Sequence, residues 1–116
     1  MTSDLFAERF AAVRERFAAK LDSRIDEIEA TVRALGREGS QETLAHAHRR
    51  AHDLCGVGPT MGFVAIGKAA RAIEQVLLAA LKSGRALTAQ EIAQLTEGVA
   101  QLRSAAVAET RPAGRE

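Results

Sequence analysis

Apolar residues recur at helical intervals along almost the whole chain. Phe6, Phe10, Val13 and Phe17 follow one another at four and three residues, and Leu21, Ile25, Ile28, Val32 and Leu35 continue the rhythm. Residues 4–36 therefore predict an amphipathic helix. Asp22 and Ser23 compete for backbone hydrogen bonds and mark a candidate break, which would set off residues 1–19 as an additional N-terminal helical segment. Gly36-Arg37-Glu38-Gly39-Ser40 reads as a helix stop followed by an N-cap serine. A second helix opens at Gln41 with Leu44, Ala47, Ala51 and Leu54, and Pro59, among Gly56, Gly58 and Gly62, is expected to end it. A third carries Phe63, Ile66, Ala70, Ile73, Leu77 and Leu81 up to Ser83-Gly84-Arg85. Thr88 and Glu91 have capping-box spacing ahead of Ile92, Leu95, Val99, Leu102 and Ala106. Residues 109–116, with Pro112 and Gly114, are expected to be a flexible tail.

Helices of about twenty residues with short connections must each hide one apolar stripe. The expected fold is all-α: an antiparallel four-helix bundle over residues 20–108, with the N-terminal segment packed on it. Composition agrees. A chain of 116 residues, 47% hydrophobic and 27% charged, suits one domain with a single core. Two prolines and no Trp or Tyr favour helix over sheet. Sixteen basic against fifteen acidic residues leave a charge of +1, and the aromatics reduce to four Phe, so no nucleic-acid partner is expected. No apolar stretch approaches the roughly 18 residues of a membrane span. A cytoplasmic, monomeric protein is expected, and Cys55, the only cysteine, has no internal disulfide partner.

Three local patterns carry candidate chemistry. Gly62-Phe63-Val64-Ala65-Ile66-Gly67-Lys68-Ala69 approaches a phosphate-binding loop, but Ala69 stands where a hydroxyl should hold Mg²⁺ and no strand precedes it. Gly56, Gly58 and Gly62 miss the dinucleotide spacing by one residue and follow a helix. His48, His52 and Cys55 share one helical stripe, so a small metal-binding bundle is one reading, although Arg49 stands where a zincin has its Glu.

His52 is the more informative residue. If Ala51 and Leu54 face the core, His52 lies roughly 120° around the helix, at the solvent edge. Gly56, one turn on, costs about 1 kcal/mol against alanine and leaves the imidazole open to a bulky partner. Folding back through the Pro59 turn brings the stripe Gly67, Arg71, Glu74 against His48, His52, Cys55. Glu74 there would bind one imidazole nitrogen and leave the other as a nucleophile of fixed tautomer.

The series Ala51-His52-Asp53-Leu54-Cys55-Gly56, followed by Met61-Gly62-Phe63, Ile66, Ala70 and Ile73-Glu74, resembles a histidine phosphotransfer (HPt) domain of two-component phosphorelays. The resemblance spans about residues 20 to 105. It implies a four-helix bundle in which His52 accepts a phosphoryl group from a receiver-domain aspartyl phosphate and passes it to another. It further implies a phosphocarrier without kinase activity, and as partners receiver domains and a histidine or hybrid kinase. No cofactor would be bound to the chain, Mg²⁺ coming with the receiver. Where the family commonly has Lys, three residues after the histidine, this chain has Cys55. Arg71, opposite Cys55 in the antiparallel register, is the candidate replacement cation, with Lys68 and Arg49 next. The expected partner surface joins His48, Arg49, His52, Cys55, Gly56, Lys68 and Arg71 to the apolar Val57 and Met61. An HPt fold serving only as an interaction module is the competing reading, and Cys55 is its main support.

Overall fold

The computed structural model describes residues 2–111 and consists of four helices: α1 (Thr2–Glu38), α2 (Gln41–Thr60), α3 (Val64–Ser83) and α4 (Ala89–Thr110). Each helix packs against two neighbours, so the four close a ring in chain order, α4 returning to α1. The stripes read from the sequence form its core, except that Phe6, Phe10 and Val13 at the start of α1 are exposed and Leu81 and Ile92 are only partly buried. Leu21, Ile25, Ile28, Leu44, Leu54, Ile66, Ile73, Leu77, Leu95 and Leu102 are fully buried, and no polar or charged residue is buried with them among the described residues.

The connections follow from local chemistry. Ser40 caps α2 by accepting from the backbone N–H of Thr43 at 3.1 Å. Gly84 closes α3 at φ 63°, a left-handed conformation that suits glycine. Thr88 and Glu91 make both halves of the capping box that starts α4. The Arg85 guanidinium bonds both Glu91 oxygens, at 2.8 and 2.9 Å. With a further bond from the Thr88 backbone, it holds the Glu91 carboxyl down at about 2.

Four expectations are corrected. α1 is continuous through Asp22 and Ser23, because Leu21 and Ile25 carry the buried stripe across that point and the Ser23 hydroxyl bonds back to the Lys20 carbonyl. Residues 2–19 are therefore the first part of α1 and not a separate element packed on the bundle. The helix instead runs past the bundle's end, with residues 4–11 exposed. Pro59 does not end α2 but sits in its last turn, the helix continuing to Thr60. Pro59 cannot donate to the Cys55 carbonyl, but in the last turn it leaves few later helical bonds to disturb, and the helix ends one residue on. The turn into α3 is instead made at Gly62, at φ 90°. It is braced by Arg14 of α1, whose Nε donates to the Met61 carbonyl at 2.6 Å while its guanidinium lies over Phe63.

The last correction concerns the C-terminus. Glu109 and Thr110 are helical, and Glu109 accepts from the backbone N–H groups of Ala65 and Ile66, both at 2.8 Å. α3 has no side-chain cap at Phe63, so its free amides are satisfied from α4. Pro112 and Gly114 lie outside the described residues.

Candidate functional site

The site is built on the α2–α3 hairpin, whose helices approach very closely. A Cβ on Gly58 would lie 3.2 Å from the Gly67 nitrogen, and one on Gly67 would lie 2.6 Å from the Pro59 ring. These glycines let the two backbones meet just below the turn. Farther along, Gln41 Nε2 reaches the Arg85 carbonyl at 3.1 Å, which fixes an antiparallel register over the length of the pair. In that register His52 of α2 faces Glu74 of α3.

His52 Nδ1 lies 2.5 Å from Glu74 Oε2. An ionised carboxylate only accepts hydrogen bonds, so a neutral His52 paired with it in this way carries its proton on Nδ1 and keeps the Nε2 lone pair free. The His52 side chain is 66% exposed whereas that of Glu74 is 14% exposed, so a sheltered carboxylate orients an open imidazole. The arrangement can act as a nucleophile toward an electrophile delivered from solvent, with Glu74 offsetting the charge that develops on the ring.

Gly56 is exposed, and a Cβ placed on it would meet nothing within 4 Å. Unlike Gly58 and Gly67, it has no packing reason within the chain. Arg49, Lys68 and Arg71 are exposed, and Cys55 is half-buried. Val57 and Met61 lie on the other flank of α2, where they line a groove with Val13, Phe17 and Lys20 of α1. The nine residues expected to form one edge thus fall on both flanks of α2, the turn after it and the exposed side of α3.

His48 differs most from its expected place. Its side chain is 23% exposed, and its Nε2 points inward to within 3.5 Å of the same Glu74 oxygen that holds His52. The two imidazoles stack with centroids 6.0 Å apart. The i, i+4 spacing put both on one stripe but could not show that they converge on one carboxylate. Glu109 was also missed as a contributor to the hairpin, since nothing local links it to α3. Among the described residues no three His, Cys, Asp or Glu side chains stand together as a metal site, and no helix is long and apolar enough to cross a membrane.

No curated protein and no solved structure matches the chain. One family model does, the Hpt domain, over residues 12–105. That span begins within α1 and takes in the whole α2–α3 hairpin and most of α4. With so much of the sequence matched, and the helical bundle it requires in place, the chain belongs to the Hpt domain family, the phosphocarrier modules of two-component signalling that work with receiver domains and kinases.

Proposed function

We propose that the protein is a phosphorelay intermediate that carries the phosphoryl group on Nε2 of His52. The observation that carries this reading is the pairing of an exposed imidazole with a sheltered carboxylate at 2.5 Å; with Nδ1 as the donor, Nε2 is the nitrogen left for the phosphoryl group. In the forward step the His52 Nε2 lone pair attacks phosphorus in line. The Nε2–P bond forms as the bond from phosphorus to the receiver's aspartyl oxygen breaks, and the aspartate leaves as a carboxylate. The ring, now bonded at both nitrogens, is cationic, and Glu74 holds its Nδ1–H. Transfer to a second receiver's aspartate reverses the step and returns His52 to its starting tautomer.

The receiver supplies the aspartate and its Mg²⁺. This chain supplies orientation, access past Gly56, and cations. Because Cys55 occupies the position where the family commonly has Lys, Arg71 across the hairpin is assigned the field on the phosphoryl oxygens, with Lys68 one turn away. The exposed residues from Arg49 through Gly56 are assigned to receiver docking, and Val57 and Met61, on the α1 side of α2, extend that surface around the helix.

Incubation with a phosphorylated receiver tests the reading. Acid-labile, alkali-stable label is expected on the wild type and is expected to vanish in His52→Gln, with helicity and melting unchanged because the residue is exposed. Label retained by His52→Gln overturns the assignment of the site. Absence of label on the wild type with a full set of receivers supports an interaction module instead.

A further inference from the structure

Glu74 has two histidines, and only one has been given a role. His48 Nε2 is buried and makes no hydrogen bond, an uncommon state for a ring nitrogen. The ionisable group nearest to it is Glu74 Oε2, at 3.5 Å, the atom that also holds His52 Nδ1. α3 presents Glu74 to His48, with Arg71 one turn earlier, and α2 itself contributes Arg49 and His52. The charged groups that α1 brings toward α2, Arg14, Arg16, Lys20, Arg24 and Glu27, lie on the opposite flank, beside Val57 and Met61 or with Arg50 and Asp53. α4 does not pack against α2.

We propose that His48 is a positioning residue that makes phosphoryl acceptance at His52 respond to pH through Glu74. This rests on His52 being the acceptor. A carboxylate oxygen offers a neighbouring imidazole nitrogen only an acceptor, so His48 holds a proton on Nε2 and steadies the carboxylate from the side away from His52. While His48 is neutral, the full charge of Glu74 is available to His52. When the other nitrogen of His48 takes up a proton, the imidazolium forms an ion pair with Glu74 and places a positive charge beside the His52 ring. Both effects oppose the cation that forms on His52 as its Nε2 bonds to phosphorus. Acidification therefore slows acceptance by two proton-linked events, protonation of His52 itself and protonation of His48.

The experiment combines ¹⁵N-histidine spectra of the full chain with phosphorylation by phosphoramidate, whose P–N bond breaks as the His52 Nε2–P bond forms and ammonia leaves. The spectra are expected to show Nε2–H on His48 and Nδ1–H on His52 at neutral pH. Between about pH 8 and about pH 5, the wild-type rate is expected to fall more steeply than that of His48→Gln, which keeps an N–H donor but does not titrate. At the upper end His48→Leu, without a donor, is expected to lose about two- to ten-fold more rate than His48→Gln. It also shows some His52 in the Nε2–H tautomer. Circular dichroism and melting accompany each variant, so that a folding defect is recognised.

A bare Nε2 on His48 overturns the proposal, as do parallel pH profiles for wild type and His48→Gln. A wild type that takes no phosphoryl group from phosphoramidate or receivers overturns the assignment of His52 as acceptor, and the spectra then still decide whether the two histidines share Glu74.

Discussion

Gly67 of α3 lies so close to Pro59 of α2 that a Cβ added to it would stand 2.6 Å from the proline Cγ. Real Cβ atoms do not approach so near, so the α2–α3 spacing that sets Glu74 against His52 depends on this glycine. Gly67→Ala is expected to push the helices apart, lower stability by about 1–3 kcal/mol and slow transfer as well. Gly56→Ala, where the added methyl meets nothing, is expected to stabilise α2 slightly and leave the free protein's structure unchanged. Gly56→Leu should keep that stability and lose receiver binding. Thermal melts and a receiver titration separate the three, and wild-type binding by Gly56→Leu would remove Gly56 from the docking face.

Glu74→Gln replaces the acceptor oxygen pair with an amide of the same shape. The variant is expected to fold normally, since Glu74 is at the surface edge of the hairpin. Transfer is expected to slow by about ten-fold or more, because the amide carries no charge to offset that of the ring. Rapid-quench measurement of label on His52 gives the rate. An unchanged rate would show that the 2.5 Å contact holds the ring without assisting the chemistry.

For the cation, Arg71→Ala is expected to reduce the transfer rate about ten-fold, a charge-assisted contact being worth about 1.5–3 kcal/mol. Cys55→Lys in that background is expected to recover most of the loss. Two cations serving one phosphoryl group are partly redundant, so the double-mutant cycle should be non-additive. If Arg71→Ala is without effect and Cys55→Lys strongly accelerates the wild type, the domain works without a compensating cation.

Removing the remote cap of α3 tests a contact that spans the bundle. Glu109→Ala leaves the amides of Ala65 and Ile66 without their partner and is expected to cost about 0.5–2 kcal/mol. Hydrogen exchange should speed up at these two amides first. Glu109→Gln, which keeps an acceptor but loses the charge facing the helix N-terminus, should fall between Ala and wild type.

Acid stability should report on Glu91. Its carboxyl is held at about 2 in the folded protein, against an ordinary value of 4.5. A depressed folded value means the contribution is full above about pH 4.5 and disappears as pH falls through about 2. The melting temperature of wild type should therefore drop toward that of Glu91→Gln over this interval. A constant gap between the two proteins across the interval would show that the Arg85 and Thr88 bonds do not favour the ionised form.

The helices were legible because burial imposes a period. From Leu21 to Ala106 the stripes that repeat at three and four residues form the core, with Leu81 and Ile92 packed partly buried against it, and Ser40, Gly84, Thr88 and Glu91 mark the ends they occupy. His52 and Glu74 were legible as well, since an antiparallel hairpin with a short turn allows only one neighbourhood for each. The sequence could not decide whether Asp22-Ser23 or Pro59 interrupts a helix. Local preference there is a fraction of the packing energy that Leu21, Ile25 and Leu54 contribute to a straight run. Nor could it decide which polar atoms share a partner. The two histidines on Glu74 and the two amides on Glu109 are set by distances of a few ångströms between helices, and these depend on which glycines let backbones touch. Periodicity tells each side chain which way to face; only the packed bundle determines what it meets.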